Sequence, residues 1–381
     1  MNIAPAFGIY IHWPFCAKKC PYCDFNSHVQ DNIDQDIWLN AYLNELRHYA
    51  NETSERLVTS VFFGGGTPSL MAPRVIEAIL AEIQRLWPCS DTIEITAEAN
   101  PSSSEIQQFQ DFRQAGINRL SIGVQSFNDP ALRFLGRRHD AGEAKKAIEA
   151  ATTVFERFSF DLIYALPGQT PDIWQKELKE ALSLAGGHLS LYQLTIEPGT
   201  EFHKARVEAA DEEIGSTLFE ITQELMTEAG LPAYEISNHA KPSQESRHNL
   251  VYWRGQDYLG IGPGAHGRLT GNYQTEMMHN YREPNKWLER VASHGFGQQK
   301  RTVLSAEERR DEIILMSLRL QEGLSSAHFK ALTGLNLADQ LDPDRLNALE
   351  NEGFLSFNDN ILKATPEGRQ RLNAVLAHLL A

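Results

Sequence analysis

The chain of 381 residues is poor in cysteine: it has four, and three of them fall within eight residues. A disulfide framework spreads its cysteines across the fold, so that device is excluded. Clustered thiols of this kind point instead to metal binding in a reducing compartment. Also missing is any apolar run near the roughly 18 residues that a membrane helix needs. The opening MNIAPAFGIYIHWPF lacks the charged head and long apolar stretch of a secretory leader, so a cytoplasmic location is expected. Positive charge is scarce as well. With 35 Lys and Arg against 50 Asp and Glu, net −15, the chain indicates no basic face for nucleic acid. Internal repeats and low-complexity tracts are absent. What is present is ordinary for a globular protein, at 42% hydrophobic and 22% charged. The length suits one large unit with a small one, or two of medium size.

Six stretches read as strands that run into polar or glycine-rich turns. They are Ile9–His12; Val61–Phe63 before Gly64-Gly65-Gly66; Thr92–Ala97 before Glu98-Ala99-Asn100-Pro101; Arg119–Val124 before Gln125-Ser126; Phe158–Tyr164 before Ala165-Leu166-Pro167-Gly168; and Leu189–Leu194. Helical periodicity fills the gaps. Leu39, Leu43, Leu46 and Ala50 share one face; Ile76, Ile79, Leu80, Ile83 and Leu86 share another, stopped by Pro88. Ser102 and Glu105 have the spacing of a capping box, with Gly116 closing that helix. Thr170 before Pro171 is a helix start, and Ile214, Leu218, Ile221 and Leu225 form a further stripe closed by Gly230. Strands alternating with helices predict a parallel sheet, and the polar turns predict a site at the carboxyl ends of its strands. Beyond about residue 300 the pattern changes to short helices and one hairpin, Phe354–Phe357 with Ile361–Ala364, which predicts a small winged-helix-like domain. Residues 300–381 carry ten Lys and Arg against twelve Asp and Glu, so this unit is expected to pack on protein rather than on DNA.

Cys16-Ala-Lys-Lys-Cys20-Pro-Tyr-Cys23 is a C-x3-C-x2-C run. Three thiolates at that spacing can hold three corners of a 4Fe–4S cubane and leave one iron open, whereas a closed ferredoxin-type cluster takes four. S-adenosylmethionine can chelate such an iron through its amino and carboxylate groups, and one electron from the cluster then cleaves its sulfonium bond. The plainer alternative is a structural zinc site of three cysteines with His12 or His28; it lacks the separated second C-x2-C pair usual for zinc. Cys89 reads as an ordinary thiol.

The C-x3-C-x2-C run with an aromatic before its last cysteine is similar to the signature of radical S-adenosylmethionine enzymes. IYIHWPFCAKKCPYCDFNSH, FFGGGTPSL, EANP, RLSIGVQSF, FDLIYALPGQT and YQLTIEPGT, in that order, resemble the coproporphyrinogen dehydrogenase (HemN) group of that superfamily from about residue 8 to the C-terminus. The resemblance implies an α/β fold, a partial (β/α)6 radical-SAM barrel with a small C-terminal winged-helix-like domain. It implies the division 1–240 (barrel with cluster loop), 241–300 (connecting segment) and 301–381 (C-terminal unit). It also implies roles. Cys16, Cys20 and Cys23 would be the metal ligands. Tyr10 and Tyr22 would flank the cluster and cofactor, and Gly65, Gly66 and Thr67 would meet the methionine end of S-adenosylmethionine. Glu98, Gln125, Arg137 and Asp161 match the group's other cofactor-contacting positions, with Arg137 suited to a carboxylate. No catalytic residue is assigned.

Two departures set the chain apart from the dehydrogenase. That subgroup has a further cysteine two residues after the third, where this chain has Phe25, and it has a longer stretch ahead of the cluster motif, where this chain has fifteen residues. His248-Asn249-Leu250-Val251-Tyr252-Trp253, with CDFNS at Cys23–Ser27, is instead similar to the HemW heme chaperones, a branch of the same group. The resemblance implies that His248, Tyr252 and Trp253 contact heme, and that heme is delivered to acceptor hemoproteins such as respiratory enzymes. Imidazole can ligate iron; a core histidine hydrogen-bonded among aromatics is the other reading of the same residues. In Gly260-Ile261-Gly262-Pro263-Gly264-Ala265-His266-Gly267, His266 is a second candidate ligand. The expected cofactors are thus a 4Fe–4S cluster, S-adenosylmethionine and heme, and a homodimer is among the expected assemblies. The competing function is oxygen-independent oxidative decarboxylation of coproporphyrinogen III. Whether the cluster serves a radical step or gates dimerisation is left open.

Overall fold

The computed structural model describes residues 5–381. Eleven of its strands form one sheet: β1 Phe7–Trp13, β2 Val58–Gly65, β3 Cys89–Ala99, β4 Arg119–Gln125, β5 Arg157–Tyr164, β6 His188–Gln193, β7 Asn238–Ala240, β8 Asp257–Ile261, β9 His266–Gly271, β10 Gln274–Asn280 and β11 Gln298–Val303. Their order across the sheet is β11-β10-β9-β8-β1-β2-β3-β4-β5-β6-β7. Strands β1 to β6 lie in chain order and pair in parallel. They are the six expected strands; β1 to β5 are a little longer than their apolar runs and β6 is shifted by one residue. The outer strands β11 and β7 do not pair with each other, so the barrel is partial and open.

The antiparallel extension β9–β11, joined through β8 to the other edge of β1, was not legible in the sequence. Its segments HGRLTG, QTEMMHN and QQKRTV are largely polar and show no clean alternation of apolar side chains.

The helices between β1 and β6 pack their apolar faces onto the sheet to form one core with Trp13, Tyr42, Phe63, Phe160 and Trp174 fully buried. Helix Gln35–Thr53 turns Trp38, Tyr42, Glu45 and Tyr49 inward together with Leu46 and Ala50 of the expected stripe, while Leu39 and Leu43 of that stripe are half-buried at its edge. Thr170 accepts a hydrogen bond from Ile173 N and starts helix Pro171–Leu184, as expected. The capping box at Ser102 does not form. Ser102 Oγ donates to the Glu105 carboxylate instead, because Glu105 is drawn inward to accept from Asn100 N and Ser69 Oγ. The helix breaks accordingly into Ser103–Ile106 and Phe109–Gln114.

A second core, including Ile314, Leu318, Phe329, Leu362 and Leu376, gathers helix Ala306–Ser317, the short helices after it and the hairpin β13 Leu355–Asn358 with β14 Ile361–Ala364, against which β12 Leu324–Ser325 pairs. Helix–strand–helix–helix–hairpin is the winged-helix-like arrangement expected of this unit.

Candidate functional site

Cys16 closes the two-residue strand Phe15–Cys16 just beyond β1; that strand pairs with His28–Val29, and between the two the chain loops through Cys20 and Cys23. All four cysteines are free thiols. The loop is anchored on several sides. Gly66 N and Thr67 N donate to Trp13 O (2.7 Å) and Phe15 O (2.8 Å), so the turn after β2 grips the residues just before Cys16. Phe202 N donates to Pro21 O at 2.9 Å, and Tyr22 packs on Phe202. Asn26 Nδ2 donates to Pro263 O (3.0 Å) and Arg282 O (2.9 Å), while His28 Nε2 donates to Asn26 Oδ1.

The three thiols have polar neighbours at their sulfurs. Thr67 Oγ1 donates to Cys16 Sγ at 3.4 Å, Arg137 Nη1 donates to Cys20 Sγ at 3.6 Å, and Ser27 Oγ lies 3.9 Å from Cys23 Sγ. Burial pushes the thiols of Cys16 and Cys23 up, and the neighbouring cysteines add to it. Thiols so placed stay protonated until a metal ion supplies positive charge, and binding then releases their protons. Among the described residues, no three His, Cys, Asp or Glu converge on a point for one metal ion. His12 is also spoken for: its Nδ1 accepts from Tyr10 OH (3.0 Å) and its Nε2 donates to Asn26 O (2.9 Å). The hydrogen bonds of His12 weigh against its serving as a fourth ligand of a zinc ion.

The strand-end residues collect beside this loop. Gly65 N donates to Glu98 Oε2 at 3.1 Å. Burial pushes the Glu98 carboxyl up to about 8, helped by the Asp161 charge. Burial likewise pushes Asp161 up to about 6, against the pull of its Ser190 hydrogen bond and of Arg119 and Arg137. Both carboxyls are half-buried. Tyr10 and Gln125 are half-buried as well, and Tyr192, which sequence reasoning passed over, is 40% exposed at the β6 end. Gln125 has φ 73°, a left-handed conformation that costs a non-glycine residue of order 1 kcal/mol or more and clusters at ligand sites. Arg137 spends Nη2 on Asn100 Oδ1 (2.7 Å) and Gly123 O (2.6 Å), yet its buried Nε has no partner.

The glycine run serves the protein's own packing. A Cβ on Gly65, at φ 112°, would lie 2.6 Å from the His12 ring, and one on Gly66 would lie 2.6 Å from Phe15 O. Close approach of β2 to the cysteine loop therefore already demands glycine at both positions.

The residues of the H-N-x-x-Y-W run lie on helix Arg247–Trp253, packed against β1, β2 and β8 at the amino-terminal side of the barrel. His248 is 1% exposed. Its ring nitrogens are taken up by Ser60 Oγ (2.9 Å) and Tyr252 OH (2.7 Å), its ring stacks on Phe62, and its backbone N–H donates to Glu94 (3.2 Å). Burial pulls its pKa down to about 3. Glu94 in turn holds Arg157 at 2.6 Å, with Arg119 at 4.0 Å. Tyr252 faces Tyr258 inside, whereas Trp253 faces the C-terminal unit, with Arg319 over its ring. The helix thus does not bring the three side chains onto one face. A cavity of about 750 Å³ lies beyond its outer side, lined by Tyr234, Arg247, Leu250, Arg254 and Lys363 and by none of the strand-end residues.

Glu45 and Asn26 also escaped the sequence reading. Glu45 is fully buried and accepts from Gly262 N (2.8 Å), Gly297 N (2.7 Å) and Trp287 Nε1 (3.3 Å), fixing the glycine-rich loop that Asn26 clasps. The available signal was a glutamate on the inward face of an otherwise apolar helix.

The Radical SAM superfamily model matches residues 10–181, and the HemN C-terminal domain model matches residues 304–371. The heme chaperone HemW of Escherichia coli is 37% identical over 99% of each chain. That of Bacillus subtilis is 34% identical over 97% of this chain and 98% of its own. The zebrafish radical S-adenosyl methionine domain-containing protein 1, mitochondrial, is 36% identical over 98% of this chain and 86% of its own. The solved structure of E. coli coproporphyrinogen III oxidase (HemN) superposes with a TM-score of 0.83 at 23% identity, covering 98% of this chain and 90% of that one, which speaks to the fold. No helix among the described residues is long and apolar enough to cross a membrane. Fold, cysteine loop and full-length relatives agree, and the chain belongs to the HemW-like heme chaperones of the radical S-adenosylmethionine superfamily.

Proposed function

We propose that the protein is a heme chaperone that binds a 4Fe–4S cluster and S-adenosylmethionine at the mouth of the barrel and passes heme to acceptor hemoproteins. The observation that carries the cofactor part is the donor set gathered there. Three free thiols share one loop beside a buried Arg137 Nε with no partner and a Glu98 carboxyl with no cation against it among the described residues. An amino acid carries the complement, a carboxylate and an ammonium group. When bound, the cluster supplies one electron and an open iron at which an amino acid can chelate.

In this reading Cys16, Cys20 and Cys23 hold the cluster. Arg137 orients the carboxylate end of S-adenosylmethionine, and Glu98 accepts from its ammonium group with Gly65, Gly66 and Thr67 alongside. Gln125 and Asp161 hold the nucleoside hydroxyls, and Tyr10 and Tyr22 exclude water from either side. The helix bearing His248, Tyr252 and Trp253 contacts heme from the connecting segment 241–300. His248 can do so only if its bonds to Ser60 and Tyr252 open. Full-length similarity to proteins called heme chaperones supports the delivery role.

The test is direct. Reconstituted protein loaded with hemin is mixed with apomyoglobin and the Soret band is followed. Transfer of heme to the acceptor, with no loss of coproporphyrinogen under anaerobic reducing conditions with S-adenosylmethionine, is the expected result. Turnover of coproporphyrinogen by protein that binds no hemin would replace the chaperone reading with the decarboxylase.

A further inference from the structure

The three cysteines are not held alike. Cys16 lies in a paired strand and its sulfur accepts from Thr67, while the sulfur of Cys20 accepts from Arg137. Both donors belong to the barrel. Among the described residues, no donor from the barrel reaches Cys23. Its backbone N–H closes a turn on Cys20 O at 3.1 Å. The groups that act on its sulfur are the backbone N–H of Phe25 and the hydroxyl of Ser27, both from its own loop. Asp24 and Phe25 are exposed, so the chain directly after Cys23 has no buried anchor. Asn26 supplies one, and it stands between the two residues that act on the sulfur.

The whole Asn26 side chain is engaged. Nδ2 donates to Pro263 O (3.0 Å) and to Arg282 O (2.9 Å), and Oδ1 accepts from His28 Nε2 (3.3 Å). Its backbone O accepts from His12 Nε2 at 2.9 Å. An amide with both donors and its acceptor in use is fixed in one orientation. The two carbonyls it grips lie more than 230 residues away, one at each foot of the hairpin β9–β10. Those feet are braced independently. Glu45 accepts from Gly262 N, Asn280 Nδ2 donates to Gly262 O at 2.9 Å, and Gly264 N donates to Tyr281 O at 2.9 Å. His266, the second heme-ligand candidate, stacks on His279 within the hairpin and stays outside this clasp. The fit leaves no slack: a Cβ on Gly264, at φ 76°, would lie 2.5 Å from Asn26 Nδ2.

We propose that Asn26 is a positioning residue for the cluster: by gripping Pro263 O and Arg282 O it seats Phe25 and Ser27 so that their N–H and O–H meet the Cys23 sulfur, and it thereby makes the connecting segment part of the cluster's support. This deepens the reading given above and rests on its 4Fe–4S cluster. Hydrogen bonds to a ligating sulfur favour the reduced cluster, which carries more negative charge, so the clasp raises the reduction potential. Strand β8 begins just after helix Arg247–Trp253 and ends at the gripped turn. The clasp thus joins the cluster loop to the same segment that bears His248, Tyr252 and Trp253.

The experiment uses the full chain and three readouts. They are the cluster midpoint potential after anaerobic reconstitution, the rate at which a ferrous chelator strips the cluster, and, in apo-protein, the alkylation rate of Cys23 relative to Cys89. Asn26→Ala and Asn26→Asp remove both donors. Each is expected to lower the potential, to speed cluster loss about tenfold and to speed Cys23 alkylation several-fold. Gly264→Ala acts from the far side of the contact, pushes the Asn26 amide aside and should reproduce all three changes. Gly230→Ala imposes a similar left-handed backbone, at φ 73°, with nothing within 4 Å, and should match wild type. It separates backbone strain from loss of the clasp. His28→Ala removes only the bond to Oδ1 and should have the smaller effect. Circular dichroism melts check folding, and if Asn26→Ala does not fold, Asn26→Asp and Gly264→Ala carry the same readouts. Wild-type values in both of those variants would overturn the proposal and leave the cluster reading standing. Wild type that takes up no cluster would overturn that reading and this proposal with it.

Discussion

The two ends of the barrel use the same kinds of residue to opposite effect. At the floor, Glu94, Arg119, Ser60 and His248 are buried, Arg157 is half-buried, and they answer one another: carboxylate to guanidinium, hydroxyl to imidazole. At the mouth, Glu98 and Asp161 crowd together with their carboxyls pushed up, Arg137 keeps an orphan nitrogen, and Gln125 sits in strained backbone. A satisfied polar network fixes a fold; an unsatisfied one stores free energy that a ligand can release. The contrast marks the floor as frame and the mouth as the place where something binds.

Four substitutions can break or sharpen this contrast, and the largest effect belongs to the floor. Glu94→Ala strands Arg119 and Arg157 in a buried site and should cost about 3–5 kcal/mol, read as a lower urea midpoint; a loss below about 1 kcal/mol would mean the floor is not frame. Gly65→Ala must adopt φ 112° against the His12 ring, so a loss of about 1–3 kcal/mol is expected together with poorer iron loading. Undiminished iron would separate the glycine turn from the cysteine loop.

Glu98→Gln should act in the other direction. The folded carboxyl holds its proton up to about 8 whereas the unfolded one releases it near 4.5, so its contribution to stability is complete below about 4.5 and is lost as pH rises through 8. Removing the charge should therefore raise apo-protein stability at pH 8 by about 1–2 kcal/mol, discounted for solvent in the cavity, and flatten the pH dependence between those limits. A variant less stable than wild type at pH 8 would contradict the strained mouth. The smallest effect is expected of Cys89→Ser, at the start of β3. Iron loading should be unchanged and stability within about 1 kcal/mol, since its thiol reaches only Trp87 O at 3.7 Å. Lost iron would redraw the ligand set.

What the sequence disclosed follows from how local each signal is. The cysteines lie in one loop, and β1 to β6 announce themselves by apolar runs ending in glycine or polar turns, so their alternation with helices gave the sheet and its functional edge. The cap at Thr170 was legible for the same reason. Glu105 misled because the carboxylate that should have closed a capping box is claimed by Ser69 and Asn100, a contact with no trace in local spacing. The extension β9–β11 was illegible because its segments are largely polar without clean alternation and its strands are held by pairing rather than by their own pattern. Asn26 acts through partners more than 230 residues away, which only the folded chain reveals.

The most direct measurement is electron paramagnetic resonance of the anaerobically reconstituted, dithionite-reduced protein with and without S-adenosylmethionine. A reduced 4Fe–4S signal that shifts on adding S-adenosylmethionine, and that disappears in the Cys16→Ala/Cys20→Ala/Cys23→Ala variant, is the predicted result. Stoichiometric zinc with no iron signal, or a cluster signal indifferent to S-adenosylmethionine, would contradict the open-iron site on which the account rests.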